Sequence, residues 1–204
     1  MSRYTGPRVR VMRALGIELP GLSRKSTERR PYPPGDHGGK RRRQDSVFGV
    51  QLKEKQKLKM NYGLTERQMR RQIKLARKSK TAAGVRLLEL LESRLDNAVF
   101  RAGFAPTIPA ARQLVNHGHF LLNGRKTDIA SARIKSGDVI QVRQKSHEVA
   151  AITDSLAQPS LTTPDWLSLE LADKKATITQ EPSADSVPFP IDVQQVIEYY
   201  NSRI

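Results

Sequence analysis

The longest regular pattern of apolar positions runs from residue 83 to 102, where Leu88, Leu91, Leu95, Ala98 and Ala102 recur at spacings of three and four. That period predicts one helix with a single buried stripe, and Gly103 stands where a left-handed residue would cap it. Arg94, Asn97 and Arg101 fall on a flank of the stripe and are expected to stay accessible. A shorter helix follows, with Thr107 as N-cap, Pro109 in its first turn, Ala111, Leu114 and Val115 facing inward, and Asn116-His117-Gly118 at its end. The period then changes. His119-Phe120-Leu121-Leu122 predicts a strand, Asn123-Gly124 a tight hairpin turn, and Ser136-Gly137-Asp138 a second turn before the strand Val139-Ile140-Gln141-Val142. Residues 166–171 and 176–179 predict two more strands, and residues 193–202 a helix with Val193, Val196, Ile197 and Tyr200 on one side.

Upstream, residues 51–61 predict a helix closed by Gly63, and Thr65-Glu66-Arg67-Gln68 has the form of a capping box. The next helix carries Met69, Ile73 and Ala76 on one stripe, surrounded by Arg67, Arg70, Arg71, Lys74, Arg77 and Lys78. So basic a helix is better placed facing phosphates than packed against other cations. Residues 1–46 show no period. Five prolines, several glycines and the runs Arg29-Arg30 and Lys40-Arg41-Arg42-Arg43 predict an irregular basic arm with too little apolar surface to fold alone. Gly35-Asp36-His37-Gly38-Gly39-Lys40 is not a nucleotide loop, because Pro34 stands at the first required glycine and Arg41 replaces the metal-binding hydroxyl.

Charge sharpens this picture. The 204 residues carry 36 Lys and Arg against 20 Asp and Glu, a formal net charge of +16. Residues 151–204 hold three basic and eight acidic side chains, so residues 1–150 carry +21. A polyanion is the expected partner, docking on the first three quarters of the chain. A membrane is not expected, since no apolar run of about 18 residues is present and the start lacks the apolar stretch of a secretory signal. The absence of cysteine excludes disulfides and thiolate zinc sites. His117 and His119, with only His37 and His147 besides, are too few for a closed metal site, so neither metal nor cofactor is expected.

The succession of helix, tight turn, helix, strand, Asn-Gly turn and strand, opened by Arg94-Leu95-Asp96-Asn97, closely resembles the RNA-binding module named after the S-four family of small-subunit ribosomal proteins. The flanks extend the resemblance over nearly the whole chain. They are Pro34-Gly35-Asp36-His37-Gly38, the stretch from Phe48 to Lys57, Tyr62-Gly63 with Glu66-Arg67-Gln68, Leu87 to Phe104, and Pro164-Asp165-Trp166-Leu167 with the terminal helix. The bacterial, cyanobacterial and plastid branch fits best, which implies a cytoplasmic ribosome or the plastid stroma. The resemblance implies an α+β fold: a helical domain (47–89 plus 185–204) into which residues 90–184 are inserted. The module itself, about 92–150, packs two short helices on a small, mainly antiparallel sheet, and residues 1–46 form a basic extended arm along RNA.

The implied role is structural and non-enzymatic: a primary binder of small-subunit rRNA that nucleates assembly of the subunit body. Implied partners are ribosomal proteins S-five and S-three, with a functional link to S-twelve in accuracy, and mRNA at the path by which it enters. Candidate rRNA contacts are Arg3, Arg8, Arg10, Lys40, Arg41, Arg42, Arg43, Lys53, Lys57, Arg67, Arg70, Arg71, Arg94, Arg101, Arg112, His117, Arg125 and Lys126. Arg94, Arg101 and Arg112 stand out because guanidinium forks match phosphate geometry, although Arg94 has Asp96 and Glu92 as internal alternatives. Tyr32, Phe48 and Tyr62 have the chemistry to stack on bases, but core packing is the commoner fate and is favoured for Phe48. Two departures from the family pattern matter. The N-terminal cysteines that hold zinc in some members are missing, and Thr107-Ile108-Pro109-Ala110-Ala111 stands where relatives often carry charge before Arg112.

Two other classes remain open on the residues alone. An RNA-modifying enzyme carrying such a module would need an acid, base or nucleophile outside 90–150, where no paired carboxylates, nucleotide loop or cysteine occur. A helix-turn-helix DNA binder fits the charge but not an Asn-Gly hairpin after two helices.

Overall fold

The computed structural model describes residues 4–39, 44–201 and 203. The chain divides into two compact units, Met1–Leu87 with Pro188–Ile204, and Leu88–Val187.

The first unit is helical. It contains α1 (Arg8–Leu15), α2 (Val47–Asn61), α3 (Glu66–Ala76), the start of α4 (Ala83–Glu92) and α8 (Val193–Asn201). The stripe Met69, Ile73 and Ala76 is fully buried, together with Leu58, Tyr62, Val196 and Tyr200. Thr65 Oγ accepts from the Gln68 amide at 3.3 Å and Gln68 Oε1 accepts from the Thr65 amide at 2.9 Å, so the predicted capping box is present. Val193 packs over Gly84 so closely that an added Cβ there would meet its methyl at 2.8 Å.

The expectation of an irregular arm over residues 1–46 is corrected at residues 8–15, whereas the described residues 16–39 and 44–46 contain neither helix nor strand. Residues 8–15 form α1, and Met12, Leu19 and Leu22 are buried core residues of this unit. The Gly21 amide donates to Asn61 Oδ1 at the end of α2, at 2.9 Å. Met12, Leu19 and Leu22 thus anchor residues 8–22 in the core although charge and prolines dominate the segment's composition.

The second unit contains the end of α4, then α5 (Leu95–Arg101), α6 (Ile108–Asn116) and α7 (Ala150–Ala157). Its sheet comprises β1 (Phe120–Leu122), β2 (Arg125–Thr127), β3 (Val139–Val142), β4 (Leu167–Glu170) and β5 (Lys175–Ile178). All pairings are antiparallel and the order is β2-β1-β3-β5-β4. The fold is therefore α+β. Phe104 and Phe120 meet with ring centroids 5.7 Å apart, joining the end of α5 to the sheet beside Ile140 and Val142. The turn between β1 and β2 has φ of 52° at Asn123 and 76° at Gly124, the double positive value that a type I′ turn requires.

The single helix predicted over 83–102 is two. Arg94 is extended (φ −80°, ψ 141°) and bridges to Arg133, while the amides of Leu95 and Asp96 donate to the carbonyls of Ala132 and Ala130. Backbone partners 34 to 39 residues away break a helix whose apolar spacing continues across the break.

Candidate nucleic-acid interface

In the first unit, the buried stripe of α3 leaves its opposite side to solvent. Arg67, Arg70, Arg71, Lys74 and Lys78 are all exposed, and with Leu75 they line a shallow surface cavity. Among the described residues, the side chains of Arg67, Arg71, Lys74 and Lys78 have no hydrogen-bonded or ion-paired partner, and that of Arg70 has only Glu66 at 4.0 Å. Unneutralised cations this close repel one another, so an anion laid across the face would stabilise it. Lys74 and Lys78, which are not among the candidate contacts named from the sequence, complete the row at helical spacing from Arg70 and Arg71.

Other candidates of this unit are partly engaged. Lys53 pairs with Asp45 and Lys57 with Glu54. Arg10 is exposed, whereas Arg8 is half-buried and donates to the Leu22 carbonyl at 3.4 Å. Arg3, Lys40, Arg41, Arg42 and Arg43 lie outside the described residues. Tyr62 is core; Tyr32 is exposed with Arg13 over its ring at 5.1 Å. Phe48, assigned to the core on general grounds, is instead 48% exposed and stacks on Tyr199 with centroids 5.9 Å apart.

In the second unit, Arg125 and Lys126 project from edge strand β2 and are exposed, as is His117 at the end of α6. The Lys126 stem lies over Gly118, where an added Cβ would meet its Cε at 2.5 Å. Arg143 Nη1 donates to the Gly118 carbonyl at 3.0 Å. Burial holds the His119 imidazole below its ordinary pKa, aided by the charges of His117 and Arg143, so near neutral pH it is uncharged.

The three arginines singled out for phosphate are placed differently. Arg94 is buried and grips Asp96 with two hydrogen bonds, Nε to Oδ1 at 3.0 Å and Nη2 to Oδ2 at 2.8 Å. Arg112 reaches the same carboxylate, with Nη2 at 2.6 Å and Nε at 2.9 Å from Oδ2, and its side chain is 23% exposed. Asp96 itself is fully buried. Arg101 is buried and donates to the Ser186 carbonyl at 3.0 Å, and Asn97 donates to the carbonyl and carboxylate of Glu92, both at 3.0 Å. The accessible flank expected for Arg94, Asn97 and Arg101 is thus interior. Their polar groups tie α5 to its neighbours, because a charge buried here needs a partner at hydrogen-bond distance.

Among the described residues no group of three or more His, Asp or Glu side chains is arranged to hold a metal ion, and no helix is long and apolar enough to cross a membrane.

Residues 3–92 match the family model of the ribosomal protein S4/S9 N-terminal domain, and residues 93–140 match that of the S4 domain. Over the full lengths of both chains, the sequence is 57% identical to the small ribosomal subunit protein uS4 of Methylobacillus flagellatus. It is 55% identical to uS4B of Nitrosomonas europaea and 49% identical to uS4 of Synechococcus elongatus, again over complete lengths. Two consecutive family models, matched on either side of the break at Ser93-Arg94, and end-to-end identity of this order place the chain in the family of small-subunit ribosomal protein uS4, which is structural and non-enzymatic.

Proposed function

We propose that this protein is a structural constituent of the small subunit of a cytoplasmic bacterial ribosome. There it binds small-subunit rRNA directly at a multi-helix junction and nucleates assembly of the subunit body. The observation that carries the reading is the exposed, unpartnered basic row of α3, a surface made for a polyanion's backbone. The hairpin cations Arg125 and Lys126, with His117, form the corresponding surface of the S4 module. Contacts with ribosomal proteins S-five and S-three, a link to S-twelve in accuracy, and a place beside incoming mRNA belong to the same reading. They rest on family membership.

Filter binding of small-subunit rRNA against duplex DNA, across a KCl series, tests it. Affinity for rRNA should exceed that for the duplex and fall steeply with salt, by about 0.7–0.9 in log–log slope per phosphate engaged. Arg67→Gln, Arg71→Gln and Lys74→Gln together should reduce that slope by roughly 2 to 3 with melting unchanged. A slope near zero, or equal affinity for duplex DNA, would overturn the proposal.

A further inference from the structure

Glu66 is the one acidic residue of α3, and it stands at the helix start amid cations. Its Oε2 lies 3.2 Å from Lys55 Nζ and 3.4 Å from Lys59 Nζ, both on α2. Its Oε1 accepts the hydroxyl of Tyr200, on α8, at 2.6 Å. Lys55 and Tyr200 are buried, and the Glu66 side chain is about one-third exposed. Burial alone would raise the Glu66 pKa, but the Tyr200 hydrogen bond and the charges of Lys55 and Lys59 outweigh it and hold the carboxyl below its ordinary range. Burial and the facing carboxylate push the Tyr200 phenol far above its ordinary value, so it keeps its proton and donates.

A helix seated by a narrow apolar stripe can roll on that stripe, because burial is non-directional. At the far end of α3 the C-cap Arg77 donates to Asn201 of α8 at 2.7 Å. Hydrogen bonds to a carboxylate at one end remove that freedom. Rolling would also swing Arg67, Arg71 and Lys74 together, since they project from the same helix on the side away from Met69 and Ile73.

The geometry points to Glu66 as a positioning residue for RNA binding: joined to α2 by two lysines and to the C-terminal helix by Tyr200, it sets the direction in which the basic row of α3 faces. The inference rests on the proposed RNA-binding face of α3. It carries a sign that charge counting does not share. Glu66→Gln removes a negative charge beside a polyanion-binding surface, which by attraction alone would tighten binding. Positioning requires the opposite.

The test uses the full chain, transcribed small-subunit rRNA as probe, and a KCl series run well below each variant's melting temperature. Glu66→Gln should weaken binding roughly fivefold or more, and Tyr200→Phe, which keeps charge and ring packing, about threefold. In the Arg67→Gln, Arg71→Gln, Lys74→Gln background neither should weaken it further, because the row they orient has been removed. Wild-type or tighter binding by Glu66→Gln, no effect of Tyr200→Phe, or an undiminished loss in the triple background would each overturn the inference. Should Glu66→Gln fail to melt cooperatively, Tyr200→Phe and its cycle with the triple variant decide alone. A triple variant that binds like the wild type removes the RNA face of α3 itself. A weakened triple variant beside unaffected Glu66→Gln and Tyr200→Phe removes only the positioning role.

Discussion

At Asn123 and Gly124 the turn is held by more than backbone preference. Asn123 Nδ2 donates to Asp138 Oδ1 and its Oδ1 accepts from the Val139 amide, each at 2.8 Å, so the turn is tied to the start of β3. Gly124 has open space around it, which leaves its φ of 76° as the sole constraint on a replacement. Gly124→Val should therefore cost on the order of 1–3 kcal/mol, as a β-branched residue is forced into a strained region. The register Phe120 to Thr127 depends on the turn, so melting temperature and rRNA affinity should fall together; wild-type values of both in thermal melts and filter binding would contradict this. Single residues were legible in the sequence where local geometry decides their role, as at Thr65, Thr107 and Gly124. At Arg94 the internal alternative Asp96 was legible and is the partner found, but the burial of Arg101 was not. The sequence shows a cationic side chain beside an apolar stripe, but whether it meets solvent or a backbone carbonyl such as that of Ser186, 85 residues on, depends on tertiary packing.

Elements were legible by the same rule. Periodicity found α3, α6, the β1–β2 hairpin and all three later strands, since each carries its own pattern and punctuation. It ran α4 into α5 because the leucine spacing persists while the break is imposed by Ala130 and Ala132, distant in sequence. It missed α1 because Arg8, Arg10 and Arg13 interrupt a short apolar pattern. That helix changes what truncation should do. Met12 is fully buried, so Met12→Ala should destabilise the first unit by about 2–5 kcal/mol. Deleting residues 1–22 should lower the melting temperature further and not merely weaken RNA binding. An unshifted thermal transition in the deletion variant would return the segment to the status of an arm.

On the scale of the whole molecule, the titrations point one way. Glu18 is held below its ordinary pKa by the Thr27 amide and the Ser26 hydroxyl, and Glu66 by its own network despite partial burial. A carboxyl with a lowered folded pKa adds stability that is complete above its unfolded value, near 4.5, and is lost as pH falls through the folded value. His119, also lowered, favours the folded state above about 6.5 and loses that advantage below it. Protonation adds to a net charge already at +16. Melting temperature measured from pH 7 to 3 should therefore fall, gently below 6.5 and steeply below 4.5, and a flat profile would show that these groups are not linked to folding. The division of the chain has a consequence in time. Pro188–Ile204 completes the first unit, but it is made only after the intervening Leu88–Val187. At about 5–20 residues per second, α1 to α3 wait roughly 5–20 s for α8, while the intervening unit is already continuous and free to fold. A nascent or stalled chain would thus expose the seat of Val196 and Tyr200 on the first unit, a vacancy open to chaperones and proteases until α8 has been made.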